Sequence, residues 1–245
     1  MDIANRSRQA TGVSADQTDT IEPAAEIVRV RRRQSRAIET RSKILEAAVT
    51  EFADKGFDGA STRAIAERAD VRHALLIYHF QSKRGIWEAV MTEILTAFRD
   101  TFDRRLAGLE GVDDVTKLQL LHADFIRMAA MRPELHWLMS HEAGQGGERI
   151  EWIAENLLDA NFTTFTTLIR SAQGQGRYVA GDPIHLHYVF LGAAARIFML
   201  AGEVQKIAGR SPFDAGFIEE HILVCRDLFF RDAPEPASGG RRKSA

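Results

Sequence analysis

Residues 61–80, STRAIAERADVRHALLIYHF, constrain the fold more than any other stretch of this chain. Their apolar positions follow helical spacing, a break falls after Ala69, and the second piece lasts barely two turns. Isolated helices under about 12 residues are marginal in water, so both pieces need tertiary support. Ile65, Ala66, Ala69, Val71, Leu76 and Phe80 are available to pack against a preceding helix, which turns Arg72, His73, Leu75, Tyr78 and His79 outward. That is a helix-turn-helix, whose second helix is short because it only has to enter a major groove about 12 Å wide. Ser61, Thr62 and Arg63 stand at the start of the first piece, where amides and a hydroxyl suit a phosphate oxygen.

The flanking sequence extends the pattern. A helix from about Ser35 to Lys55 places Ile38, Ile44, Leu45, Ala48 and Phe52 near one face and ends at Gly56, suited to a left-handed position. Ser82, with Gly85 close behind, opens a longer helix carrying Ile86, Trp87, Val90, Ile94, Leu95, Phe98 and Phe102. Further helices are expected at about 113–130, 133–143, 147–173, 183–208 and 213–231, with Pro133, Pro183 and Pro212 where helices can start. No repeat and no period-two alternation supports strands. The expected fold is all-α: an N-terminal three-helix helix-turn-helix domain at 35–84 and a C-terminal helical bundle at 85–232. Residues 1–34 are read as a disordered basic arm and 233–245 as a disordered tail, because neither buries enough apolar surface to offset ordering.

Charge adds a partner class. Residues 29–84 hold 13 Lys and Arg against 7 Asp and Glu, whereas 85–245 hold 17 against 22. A basic end suggests a polyanion. The run RVRRRQSR, Arg29 to Arg36, reads equally well as a solubilising linker or as a minor-groove arm through Arg31, Arg32 and Arg33. A single cysteine, Cys225, excludes an internal disulfide framework and a cysteine-rich zinc site. The apolar runs fall short of a membrane span, and the N-terminus shows no signal-peptide core, so a cytoplasmic location without membrane contact is expected.

The segment TRSKILEAAVTEFADKGFDGASTRAIAERADVRHALLIYHFQSKRGIWEAV, residues 40–90, resembles the DNA-binding domain of the TetR family of transcriptional regulators. The pieces ILEAA, KGF and YHF followed by Ser82 and Lys83 carry the likeness. It implies that Ser61 and Arg63 contact backbone or base edges, that Tyr78 and His79 contact phosphates, and that Lys83 anchors the next helix to DNA. The chain also departs from the pattern. Asp70 stands at the turn where Gly is usual, Arg72 and His73 replace a common Ser-Lys pair, and Ala74, Leu75 and Ile77 replace Gly, Thr and Tyr. Leu75 could touch a thymine methyl or pack on the domain.

For the C-terminal half the resemblance implies ligand binding and a homodimer, and the residues agree. The segment 183–208 is apolar around most of its circumference, and the last helix has one apolar stripe of Ile218, Ile222, Cys225 and Phe229 and another of Phe217, Val224 and Leu228. One stripe can face the protein's own core and the other a second copy. A homodimer presents two reading helices to a palindromic double-stranded DNA operator. Candidate contacts for a small-molecule effector are His122, Phe125, Met128, Trp137, His141, Trp152, Asn156, Asn161, Phe165 and Tyr188. No cofactor is expected. No metal site is expected either, since His185 and His187 point to different sides of a helix and no histidine pair sits four apart. No nucleophile elbow, phosphate loop, dinucleotide fingerprint or HExxH pair points to an enzyme. The resemblance implies a repressor; the competing readings are a structural DNA binder without effector and a helical enzyme with a basic appendage.

Overall fold

The computed structural model describes the backbone of residues 22–232 and the side chains from residue 28 onward. The first residues of the expected arm and the whole expected tail lie outside the described residues. Two compact units are separated by contacts, Met1–Lys43 and Ile44–Ala245. Among the described residues eleven helices run α1 Glu22–Gly59, α2 Thr62–Arg68, α3 His73–Phe80, α4 Lys83–Ala107, α5 Asp114–Met131, α6 Pro133–Gln145, α7 Glu148–Ile153, α8 Asp159–Gly174, α9 Pro183–Met199, α10 Ala201–Ala208 and α11 Ala215–Phe229. A π-helical stretch, Ala154–Leu158, joins α7 to α8. No β-strand occurs among the described residues, only one isolated bridge between Tyr178 and Phe230.

Boundaries differ from the sequence reading at the start of α1 and within the expected helix 183–208. Helix α1 begins at Glu22, ahead of Ser35, and its leading residues 28–39 are all solvent-exposed, Ile38 included at 70%. Gly56 breaks its geometry with φ 67°, the left-handed position foreseen for that glycine. The expected helix 183–208 is two helices, because Leu200 leaves helical backbone at φ −97°, ψ 21°, and the axes bend by 68° there. No single described helix is long and apolar enough to cross a membrane.

Inside the second unit two apolar cores form. One gathers Ile44, Leu45, Ala48 and Phe52 of α1, Ile65 and Ala66 of α2, Leu76 and Phe80 of α3, and Ile86, Trp87, Val90 and Met91 of α4, and is closed by Leu138 and Ile153. The other gathers Phe102, Leu118, Leu121, Phe125, Ile126, Phe165, Ile169, Phe190, Phe198, Cys225 and Phe229. Helix α4 supplies both, with its first turns in one core and Phe98, Phe102 and Leu106 in or against the other.

Capping sets where the reading elements start. The Ser61 hydroxyl accepts the Arg63 amide at 3.3 Å, and the Ser82 hydroxyl accepts the Gly85 amide at 3.0 Å. Gly85 is required for a packing reason: a Cβ there would lie 2.2 Å from the Phe80 carbonyl oxygen, which is backbone and cannot swing aside. Gly85→Ala is therefore expected to lower unfolding free energy by about 1–3 kcal/mol, the usual cost of overpacking, read as a reduced urea midpoint at unchanged slope.

Candidate functional sites: a reading face and an aromatic cage

Two short helices hold the first site. The turn between α2 and α3 passes through Asp70 at φ 52°, so the residue that replaces glycine does take left-handed backbone, which aspartate tolerates better than most. Beneath it Ile65 and Leu76 are fully buried. Above it Ser61, Arg63, Arg72, His73, Leu75 and Tyr78 are exposed, Tyr78 at 80%. Thr62 and His79 are half-buried. Thr62 Oγ1 and His73 Nε2 lie 3.0 Å apart, a hydrogen bond that fixes the starts of α2 and α3 to one another. Tyr78 and His79 meet edge to face at 5.6 Å.

Lys83 is placed differently from the outward array. Its ammonium donates to the carbonyls of Asp58 and Ala60, both at 3.1 Å, and lies 4.7 Å from the Phe57 ring. It caps the end of α1, which steadies the reading face from behind. Buried Glu51 does similar work: Lys55 donates to its carboxylate at 2.7 Å and the Ser61 amide at 3.4 Å. Arg31, Arg32 and Arg33 are exposed on the leading part of α1, in the other unit.

A buried polar bridge ties the reading domain to the bundle. The Trp87 indole donates to Glu142 at 3.0 Å, and Arg149 donates to the other carboxylate oxygen at 2.7 Å. The Arg149 guanidinium stacks over Phe57 at 4.4 Å, and Phe57 meets Trp87 edge to face at 6.2 Å.

The ten effector candidates do not converge on one place. His122, Phe125 and Phe165 are buried together in the bundle core, with Met128 packed against it. Trp152 packs on Trp87 at 5.7 Å in the other core, and Asn156 donates to the Trp152 carbonyl. His141 is exposed, close to Gly56. Trp137 and Tyr188 are exposed at 40% and 62%, and Asn161 is half-buried. Met128 alone among the ten lines an open cleft of about 470 Å³ between α4 and α5, beside Thr101, Arg104, Arg105, Gly108, Leu109 and Asp124.

Around His122 the structure assembles a cage that sequence reasoning only partly found. Its imidazole stacks on Phe190 at 3.5 Å and 11°, with Phe230 at 5.5 Å, Tyr178 at 6.0 Å, Phe229 at 6.2 Å and Phe165 at 6.3 Å around it. His187 meets Phe165 at 5.5 Å. Both ring nitrogens of His122, the Tyr178 hydroxyl and His187 Nδ1 are buried without a hydrogen-bond partner. Tyr178 lies between α8 and α9, and it is drawn inward by backbone pairing of Val179 with Phe229 and of Arg231 with Arg177. Among the described residues no group of three metal-ligating side chains occurs.

Burial pushes His122 down to about 3, with the positive form of His187 adding repulsion, and pushes His187 down to about 4. Burial also raises the Tyr178 phenol. An unfolded chain takes up protons on these histidines near 6.5, whereas the folded chain refuses them. Stability is thus intact above pH 6.5 and falls as pH drops toward 4, by up to about 1.4 kcal/mol per pH unit for each histidine. Urea midpoints at pH 7, 6 and 5 should show this decline, and His122→Phe should reduce its slope.

Comparisons with known proteins match the segment that carries the two short helices. Residues 44–90 match the family model described as bacterial regulatory proteins, tetR family. The HTH-type transcriptional regulator RutR of Escherichia coli strain K12 is 26% identical over 198 residues, covering 78% of this chain and 89% of that protein. IcaR of Staphylococcus aureus strain Newman, a negative transcriptional regulator of the biofilm operon icaADBC, is 42% identical over 48 residues, 20% of this chain and 26% of its own. Among solved structures, that of AibR with isovaleryl coenzyme A and operator DNA superposes with TM-score 0.59 at 19% identity, over 78% of this chain and 98% of that one. The hemolysin II transcriptional regulator HlyIIR superposes with TM-score 0.56 at 19% identity, over 77% and 97%. Residues 44–90 thus match the tetR family of bacterial regulatory proteins, and the all-helical fold is shared with these solved regulators along most of the chain.

Proposed function

We propose that this chain acts as a cytoplasmic homodimeric repressor that holds a palindromic operator with two copies of the α2–α3 unit and releases it when a small-molecule effector binds the bundle. The observation that carries the reading is the exposed set Arg63, Arg72, His73, Leu75 and Tyr78 on two helices whose inner faces are fully buried. Such a set has side chains for phosphates and for base edges on a rigid mount. On this reading Ser61, Thr62 and His79 add contacts at the rim, Lys83 acts from behind, and Arg31, Arg32 and Arg33 add electrostatic attraction. The reading domain is 35–84 and the effector bundle 85–232.

The dimer rests on a face that one copy leaves uncovered. On α9 Ile184, Tyr188 and Val189 are exposed, and on α11 Leu223, Val224 and Leu228, at 44–62% between them. The opposite stripe of α11, Cys225 and Phe229, is buried in the protein's own core, with Ile218 and Ile222 packed against it. Two such pairs of helices make an isologous four-helix contact, which fixes the separation of the reading helices. An effector releases DNA only to the extent that it prefers a conformation with another separation.

Three substitutions test the reading by fluorescence anisotropy on duplex fragments from upstream of the gene. Arg63→Ala and Tyr78→Ala are expected to weaken binding at least tenfold, about 1.4 kcal/mol, without changing the unfolding midpoint. Leu228→Glu is expected to yield monomers in light scattering and to abolish high-affinity binding. A wild-type protein with no salt-sensitive affinity for any duplex would overturn the proposal. An affinity that no small-molecule fraction changes would favour a structural DNA binder instead.

A further inference from the structure

We infer that the cage around His122 is the effector site, and that its ligand is a neutral, flat aromatic molecule of one or two rings bearing a hydroxyl or ring N–H. The inference rests on the proposed regulator reading and specifies its ligand chemistry. Four polar atoms on three side chains, His122, Tyr178 and His187, are buried with no partner. Leaving such groups unpaired costs about 1–3 kcal/mol each, so a fold that collects them has a use for them. Each of the three is at least nine-tenths buried, at 4%, 4% and 8% exposure.

The walls specify the rest. Phe165, Phe190, Phe229 and Phe230 offer ring faces and edges and no charge. The Phe190 ring lies parallel to His122 at one ring thickness, in a full face-to-face sandwich that aromatic pairs otherwise avoid in favour of offset or edge-on contact. A guest ring can take the place of Phe190 on the imidazole while its hydroxyl or N–H pairs with the Tyr178 hydroxyl. The four phenylalanine walls carry no charge and burial holds both histidines neutral, so a charged ligand meets no counter-ion among them. Phe190 and the exposed Tyr188 and Val189 are on the same helix, so expelling the Phe190 ring shifts α9 and with it the face proposed to bind the second copy.

Phenol, benzoate and cyclohexanol separate the elements of this idea, because they share size but differ in charge and flatness. Titration calorimetry on the full chain is expected to show one phenol per chain, with benzoate and cyclohexanol at least tenfold weaker. Tyr178→Phe removes one oxygen and keeps the ring; it should weaken phenol about tenfold while leaving the unfolding midpoint unchanged or raised. Phe190→Ala opens the slot and should bind phenol more tightly. Should Phe190→Ala fail to fold, the Tyr178→Phe comparison decides alone. Equal binding of all three probes, no binding of phenol, or an unchanged affinity in Tyr178→Phe would overturn the inference and assign the unpaired atoms to internal water. Duplex affinity measured on the same preparation without probe keeps the two ideas apart: DNA binding without phenol binding sinks only the cage, whereas phenol binding without DNA binding sinks the regulator.

Discussion

A carboxylate with 1% exposure, that of Glu142, connects the two halves of the second unit. A buried charge is tolerated only when paired and hydrogen-bonded, and here one oxygen takes the Trp87 indole and the other takes Arg149. Meeting those demands requires α4, α6 and α7 to stand in one relative position. The same arginine then stacks on Phe57 at the end of α1, so four helices share one electrostatic constraint. Removing either partner would leave the other polar group stranded in an aromatic setting.

That constraint gives α4 its meaning. Its first turns, through Met91, are clamped into the core below the reading helices, and its later turns from Phe98 pack into the bundle. A packed helix rather than a loose linker therefore joins the core below the reading helices to the core that holds the aromatic cage. Interiors at close packing respond to shifts by changing between discrete arrangements. The caps at Ser61 and Ser82 and the close approach at Gly85 make the reading end stiff.

The reading face was legible in the sequence because local chemistry writes it. Cap residues, a break after Ala69 and the inward set Ile65, Ala66, Leu76 and Phe80 all lie within a few turns of one another, and each sits where that pattern puts it. The cage was not legible, because it is built from residues brought together across the chain: His122 on α5, Phe165 on α8, Tyr178 in a turn, Phe190 on α9 and Phe230 past α11. His122, Phe125 and Phe165 were found by type alone, as bulky or polar residues in an apolar helix. Nothing near Tyr178 signals burial, since the backbone bridge that turns it inward needs a partner more than fifty positions away. The bend at Leu200 was hidden for another reason: apolar residues continue through it, and composition does not record where backbone leaves the helix.

The π-helical stretch Ala154–Leu158 reconciles two allegiances of one rod. Ile153 belongs to the core under the reading helices, and Phe165, Leu168 and Ile169 belong to the bundle. Each residue of a widened turn advances around the axis by less than in an α-helix. The angular phase of α8 is thereby reset against α7, and a nearly continuous stretch of chain can present apolar side chains to one body before the wide turn and to another after it.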